Sequence, residues 1–315
     1  KVTEDQMDLS VFMEYPLKQN YVGDTLYGIP CYTDSYAICY NKAVFDKYGV
    51  EYPKEGWNWN DYEALAEELN SKIKAEGGNE FASALAINEP AHGTLLLLTC
   101  NGAKLYNEDV TACALNVPES VEMLEMVQRM VESGAQADYD TLVETNAASL
   151  FLSGLAGMII ICPDPGANGL FEGTSVKETL DYIAFPNGPT SGTNYIDTVT
   201  MNNIVINSGT TKFDAAWDFV KWYTTNQEAL DAYAKIEWHL PTNVNAFDAW
   251  EASHDYAEEA DKVVTVWDVP LCNYSCLGQI SPNLIPVFNG EISAEEGLAN
   301  LESAINELIT AELNK

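Results

Sequence analysis

Residues 26–69 read LYGIPCYTDSYAICYNKAVFDKYGVEYPKEGWNWNDYEALAEEL. The period of the apolar residues changes along this stretch, and that change decides the fold. Tyr27-Gly28-Ile29-Pro30 predicts a turn opening into an extended segment, because the residue before proline is pushed out of the α region. Tyr32 to Tyr40 alternates in part, with Tyr32, Ala37, Ile38 and Tyr40 suiting a half-buried strand. Asn41-Lys42 ends that strand. Phe45 and Tyr48 lie three apart on one face of a short helix that Gly49 stops. Asn60, with Glu63 three residues on, is the expected N-cap of a helix carrying Tyr62, Leu65, Ala66 and Leu69.

Outward from there, strand and helix signals alternate. Ala84–Ile87, Gly157–Cys162, Tyr182–Phe185 and Asn203–Asn207 read as strands. His92–Cys100 reads as a buried helix. Pro118 opens a helix with Val121, Leu124, Val127 and Val131 inward, Gly134 as its cap, and Met123, Met126 and Met130 as core filling. Ala147–Leu152 is a short helix. Thr211 is expected to cap a helix whose inner stripe is Phe213, Trp217, Val220 and Tyr223, with Trp222 also structural. Ser293 caps the last helix, with Leu298, Leu301, Ile305, Leu308 and Ile309 inward. Strands alternating with helices predict an α/β fold with largely parallel sheets.

Lys and Arg number 15 against 48 Asp and Glu, a net charge of −33. That balance argues against nucleic acid and against docking on anionic lipid. Seven cysteines include no C-x-x-C pair, which argues against zinc, and an odd count leaves at least one thiol unpaired in a monomer. No apolar run reaches the length of a membrane span. Neither G-x-S-x-G, H-E-x-x-H nor a P-loop is present.

The pattern YGIP-x-YTDS-x-x-x-x-YNKAVFDKYGV with W-x-W-x-DYEALAEEL resembles the extracellular solute-binding proteins, family 1, of ABC transporters, the sugar-binding group that includes maltose-binding protein. NGAKLYNED, LFLSGLAGMII, AFPNG, TTKFDAAWDFVKWYTT, WHLPT and FNGEISAEEGLANLESAINELI follow in the family's order. The resemblance covers nearly all of the chain. It implies a two-lobe periplasmic-binding-protein-like fold of type II whose N-terminal lobe lacks an early β-α-β-α-β part here. Lobe I would take 1–33 plus 204–252 and lobe II 34–203 plus 253–315, with the ligand cleft and hinge between them. It also implies a non-enzymatic receptor that binds a sugar or short oligosaccharide and hands it to the permease. Such a protein works outside the cell, lipid-anchored or periplasmic, as a monomer with no cofactor, metal or nucleic acid. A glycosidase-like enzyme, or a surface glycan-binding protein not coupled to transport, is the alternative.

Sugars are held by aromatic faces and by fixed carboxylates and amides at strand ends. On the resemblance, Tyr32, Asp34 and Ser35 sit at the first crossing, where relatives place a ligand-contacting carboxylate at the position of Asp34. Glu89-Pro90 matches a Glu-Pro pair, but the following stacking aromatic is Ala91 here, with His92 beyond. Asp164 takes the place of a stacking tryptophan, so the bound sugar or its orientation should differ. Asn202 and Asn203 lie at the second crossing. Trp238, Trp267 and Tyr274 complete the expected ligand set. Trp57 and Trp59 are expected to pack the helix entry.

Overall fold

The computed structural model describes residues 2–22, 24–33, 36–161, 171, 173–192, 201–235, 240–251 and 274–314. Their contacts divide them into two compact units. The first holds the described residues of Lys1–Ser35 and Thr200–Asp261; the second holds those of Tyr36–Pro163, Asn168–Val199 and Lys262–Lys315. The strands in chain order are β1 Tyr21–Val22, β2 Thr25–Leu26, β3 Ile29–Thr33, β4 Ala37–Asn41, β5 Phe81–Ser83, β6 Ala156–Ile161, β7 Leu180–Ala184, β8 Met201–Ile204 and β9 Leu240–Pro241.

The second unit is built on a four-stranded sheet of order β5-β6-β4-β7. Cys39 at its centre faces Ile159 on one side and Tyr182 on the other. All five residues of β4 are buried, so the strand is covered on both faces rather than half-exposed as its partial alternation predicts. The expected single segment from Tyr32 to Tyr40 is two strands, β3 and β4, in different sheets.

The expected parallel pairing is also corrected: among the described strands only β5 and β6 run parallel. β4 opposes both neighbours, and β3 opposes β8 and β9. Parallel neighbours need a helical crossover. Helices do separate β5 from β6.

Helix α1, Lys42–Tyr48, follows β4 because the Asn41 side chain accepts from the Ala43 amide, and Gly49 in the left-handed region stops it. Helix α2, Trp59–Ala75, begins at Asn58 and not at Asn60. Asn58 accepts from the Asn60 and Asp61 amides, while Asp61 accepts from the Asn58 amide. The acid three residues after the true cap is Asp61, which completes the capping box. Its buried face is Trp59, Tyr62, Ala66, Leu69 and Ile73. Trp57 is buried as well and donates Nε1–H to the Ala184 carbonyl at 2.8 Å, fastening the helix entry to β7.

Beneath α2 a buried polar chain is closed. Tyr62 bonds Ser83, Ser83 donates to Gln136 Oε1, and Gln136 exchanges bonds with the Leu85 backbone. Helix α3, Pro118–Ser133, keeps the expected proline start and Gly134 stop, and Met123, Met126 and Met130 fill the core. Val121 and Val131 sit at the edge of its buried stripe.

The first unit has the three-stranded sheet β8-β3-β9 and the small hairpin β1–β2. The β3–β8 register shifts between Pro30 and Tyr32. Proline cannot donate to a ladder, and a bulge absorbs the gap. Helix α4, Phe213–Thr225, has Lys212 at its N-cap with no side-chain bond, so Thr211 does not cap it. Only Trp217, Val220 and Thr224 are buried along it. Phe213 and Trp222, expected inward or structural, are 44% and 49% exposed. Helix α5, Gln227–Ala234, follows, capped by Asn226. Helix α6, Ala294–Leu313, closes the chain in the second unit; Ser293 caps it, and Leu298, Leu301 and Ile305 are buried. No helix among the described residues is long and apolar enough to cross a membrane.

Candidate functional site

In the second unit, the expected Glu89 and His92 bracket the start of a π-helix, Pro90–Leu95. Wide turns of this kind gather at functional positions. The Gly93 and Thr94 amides both close onto the Glu89 carbonyl, at 3.1 and 2.9 Å, and Thr94 Oγ1 donates to the Ile87 carbonyl at 2.8 Å. A Cβ on Gly93 would overlap the Ala86 carbonyl, so this turn lies flush on the backbone below it. Proline in the first turn leaves one amide fewer to satisfy. The Glu89 carboxylate makes no capping bond and is exposed, which leaves its oxygens open to a hydroxyl-bearing molecule.

His92 is exposed and its Nδ1 lies 2.7 Å from the Tyr36 hydroxyl. Tyr36 itself is 4% exposed and stands one residue before β4. With the phenol donating, His92 carries its proton on Nε2 and turns a donor outward. A buried phenol thus sets the orientation of an exposed imidazole beside an exposed carboxylate. Tyr36 is the residue that sequence reading missed. Nothing in its place in the sequence, one residue before β4, separates it from a core tyrosine. Asn88, just before the π-helix, donates to the Leu142 carbonyl and has a buried Oδ1 with no protein partner among the described residues.

In the first unit, Tyr32 and Asn202 are Cα partners across β3 and β8, so the structure brings these two expected residues together. The Tyr32 ring stacks on Tyr233 of α5, with centroids 5.8 Å apart and planes at 26°. That contact fixes one face of the ring. Asn203 pairs with Pro30, is exposed, and has its Oδ1 bonded at 3.0 Å by Asn20. Thr242 beside β9 ties down the strand by bonding the Pro30 carbonyl at 2.8 Å.

Asp34, Ser35, Asp164, Trp238 and Trp267 lie outside the described residues. Tyr274 opens a short helix, Tyr274–Leu277. Trp57 and Trp59 are core, as expected. Among the described residues, no three His, Cys, Asp or Glu side chains converge in a way that could hold a metal ion. The thiols of Cys39 and Cys100 are driven far above their ordinary range by burial, and burial pushes Cys31 up to about 12. They are poor nucleophiles.

The profile of the bacterial extracellular solute-binding proteins matches residues 2–230. A binding protein of Brucella abortus is 27% identical over 253 residues, 78% of this chain and 56% of its own. The chain spans about half the length of the curated relatives it matches. Among solved structures, an ABC substrate-binding protein from Listeria monocytogenes in complex with cycloalternan aligns with a TM-score of 0.77 at 23% identity, over 98% of this chain and 78% of that one. The sugar-binding protein MalE from Xanthomonas citri aligns with a TM-score of 0.79 at 16% identity, over 99% and 78%. These likenesses make the fold type II, periplasmic-binding-protein-like.

Proposed function

Because the chain belongs to the bacterial extracellular solute-binding protein family, we propose that it is the receptor of a carbohydrate ABC importer. It binds a sugar or short oligosaccharide between two lobes and delivers it to the permease subunits, without turnover. The observation that carries this reading is the fold match over nearly the whole chain to receptors solved with sugars. The polar side chains at the π-helix entrance agree with it. Glu89 supplies acceptors there and His92 a ring nitrogen held by the Tyr36 hydroxyl; in the first unit, the Tyr32–Asn202 pair offers an aromatic ring beside an amide. Asp34, Ser35, Asp164, Asn203, Trp238, Trp267 and Tyr274 complete the proposed ligand set, on the resemblance alone.

The family's place outside the cytoplasm suits such a role, with the protein periplasmic or lipid-anchored. The lobes we propose are 1–33 plus 204–252 and 34–203 plus 253–315.

Calorimetric titration with a panel of mono- and oligosaccharides tests the reading. Saturable one-to-one binding is expected, and ligand at about 100 times Kd should add roughly 2.7 kcal/mol of stability. Absence of binding to every sugar, or release of new reducing ends, would overturn it.

A further inference from the structure

The candidate site makes no use of cysteine, yet Cys31, Cys39, Cys100, Cys113 and Cys276 are all free thiols in the structure. Cys39 is fully buried in the central strand of its sheet. Cys100 is fully buried too and donates to the Leu97 carbonyl at 3.2 Å. Cys113 and Cys276 stand apart from these, because they come from distant parts of the chain and meet on one helix. Cys113 is 4% exposed and forms an antiparallel bridge with Tyr106. Its amide donates to Oδ1 of Asn306, on α6, at 2.7 Å. Cys276 is 5% exposed and lies on the short helix Tyr274–Leu277, which packs against the same α6. Burial pushes the Cys113 thiol up to about 11; a backbone bond at Leu115 offsets part of the rise, and Glu302 and the Cys276 thiol add to it. Coulomb coupling falls with distance, so two buried thiols that feel each other's charge are near neighbours.

We propose that Cys113 and Cys276 are a disulfide site, open in the reduced chain and closed by exchange with a small-molecule disulfide. The co-reactant is of the class of glutathione disulfide. One protein thiol loses its proton, and the thiolate attacks a sulfur of the small disulfide, expelling one glutathione as thiolate. The second protein thiolate then attacks the protein sulfur of the mixed disulfide and expels the other glutathione. Two protein thiols are oxidised to one disulfide, and one glutathione disulfide is reduced to two thiols. Burial holds both thiols away from the oxidant and disfavours the thiolate, so the bond closes during folding or on opening of the short helix, not in the packed state. Once made, it ties the segment before α3 to the helix Tyr274–Leu277 across a long stretch of chain. Disulfides that close long loops constrain the unfolded chain most. The family's place outside the cytoplasm is a medium in which such bonds persist. The inference concerns the second unit's packing and stands whether or not the ligand is a sugar.

The test refolds the 315-residue chain in a glutathione disulfide–glutathione buffer and, in parallel, in dithiothreitol. Peptide mapping by mass spectrometry without reduction should find the Cys113 peptide joined to the Cys276 peptide as the main cross-link. The oxidised chain should melt about 5 °C or more above the reduced one. Cys113→Ser and Cys276→Ser should each abolish the cross-link and melt alike in both buffers, while Cys31→Ser should keep the cross-link and the difference in melting. The mapping on the unaltered chain decides the matter even where a serine variant folds poorly. Thiols that all stay free after oxidative refolding would overturn the inference. So would a main cross-link from either residue to Cys272, which lies outside the described residues, or an oxidised chain that melts no higher than the reduced one.

Discussion

The two units differ in how completely their sheets are covered. In the second, β4 is buried along its whole length and flanked by β6 and β7. Trp59, Tyr62, Phe45, Phe151 and Ile38 lie fully inside. In the first, the buried apolar side chains form two small clusters, Phe12, Ile29, Trp217 and Val220 within a ring of half-buried ones, and Leu230, Ala234, Ala246 and Trp250. Stability comes from apolar area removed from water, so local stability should follow this difference. The candidate site residues inherit it. Glu89, His92 and Tyr36 stand on the closed unit, and Tyr32, Asn202 and Asn203 on the open one. The first three are positioned by packing within their own unit; the others depend on how well the open core is held.

Substitutions sharpen or break this contrast. The largest effect is expected from Trp59→Ala, which empties a site with no exposure; it should cost about 3–5 kcal/mol by denaturant unfolding. A cost below about 1 kcal/mol would mean the second unit is not the closed body described here.

Glu80 comes next. Burial raises its carboxyl, but hydrogen bonds from Lys47 and Tyr48 outweigh that and hold it at about 2, below the ordinary 4.5. Its side chain is only 9% exposed. A carboxylate depressed in the folded state stabilises above its unfolded value, and the gain fades as pH falls from 4.5 toward 2. Glu80→Gln should therefore lower stability at pH 7 by about 2 kcal/mol and flatten the acid limb of the melting curve. An acid limb unchanged by the substitution would detach this triad from the second unit's stability.

Asn58→Ala removes the capping box of α2 and should cost about 1 kcal/mol in thermal melts. Phe213→Ser, on the open unit, should change stability by less than about 0.5 kcal/mol, because the ring is already 44% exposed. A cost as large as that of Trp59→Ala would show the first unit to be closed after all.

The sequence made the order of elements legible wherever caps and periods were strong. Pro118 and Gly134 bounded α3, Ser293 opened α6, and the methionines of α3 were read as core. It misled where two local signals compete. Asn58 and Asn60 both suit an N-cap, and only the acid three residues after Asn58 closes the box. Tyr32–Tyr40 alternates in part and was read as one strand, but the chain changes sheets inside it, and period alone carries no mark of that change. Trp222 looks inward by type, yet α4 lacks a neighbour over that face among the described residues, which helical spacing cannot reveal.

Of the candidate site, Glu89 was proposed from the Glu-Pro pair and His92 from its place beyond it, and both stand as proposed contacts. The π-turn that presents them has no sequence signature, and Tyr36 was hidden because a buried tyrosine beside a strand reads as core. Its role rests on a 2.7 Å contact with a residue 56 positions away.

Native-state hydrogen exchange tests the central contrast most directly. Amides of β4 (Ala37–Asn41) and of the middle of α2 should exchange only through full unfolding of their unit. Those of β3, β8 and α4 should exchange faster by on the order of a hundredfold or more, through local opening. Equal protection of the two sets in the 315-residue chain would contradict the account.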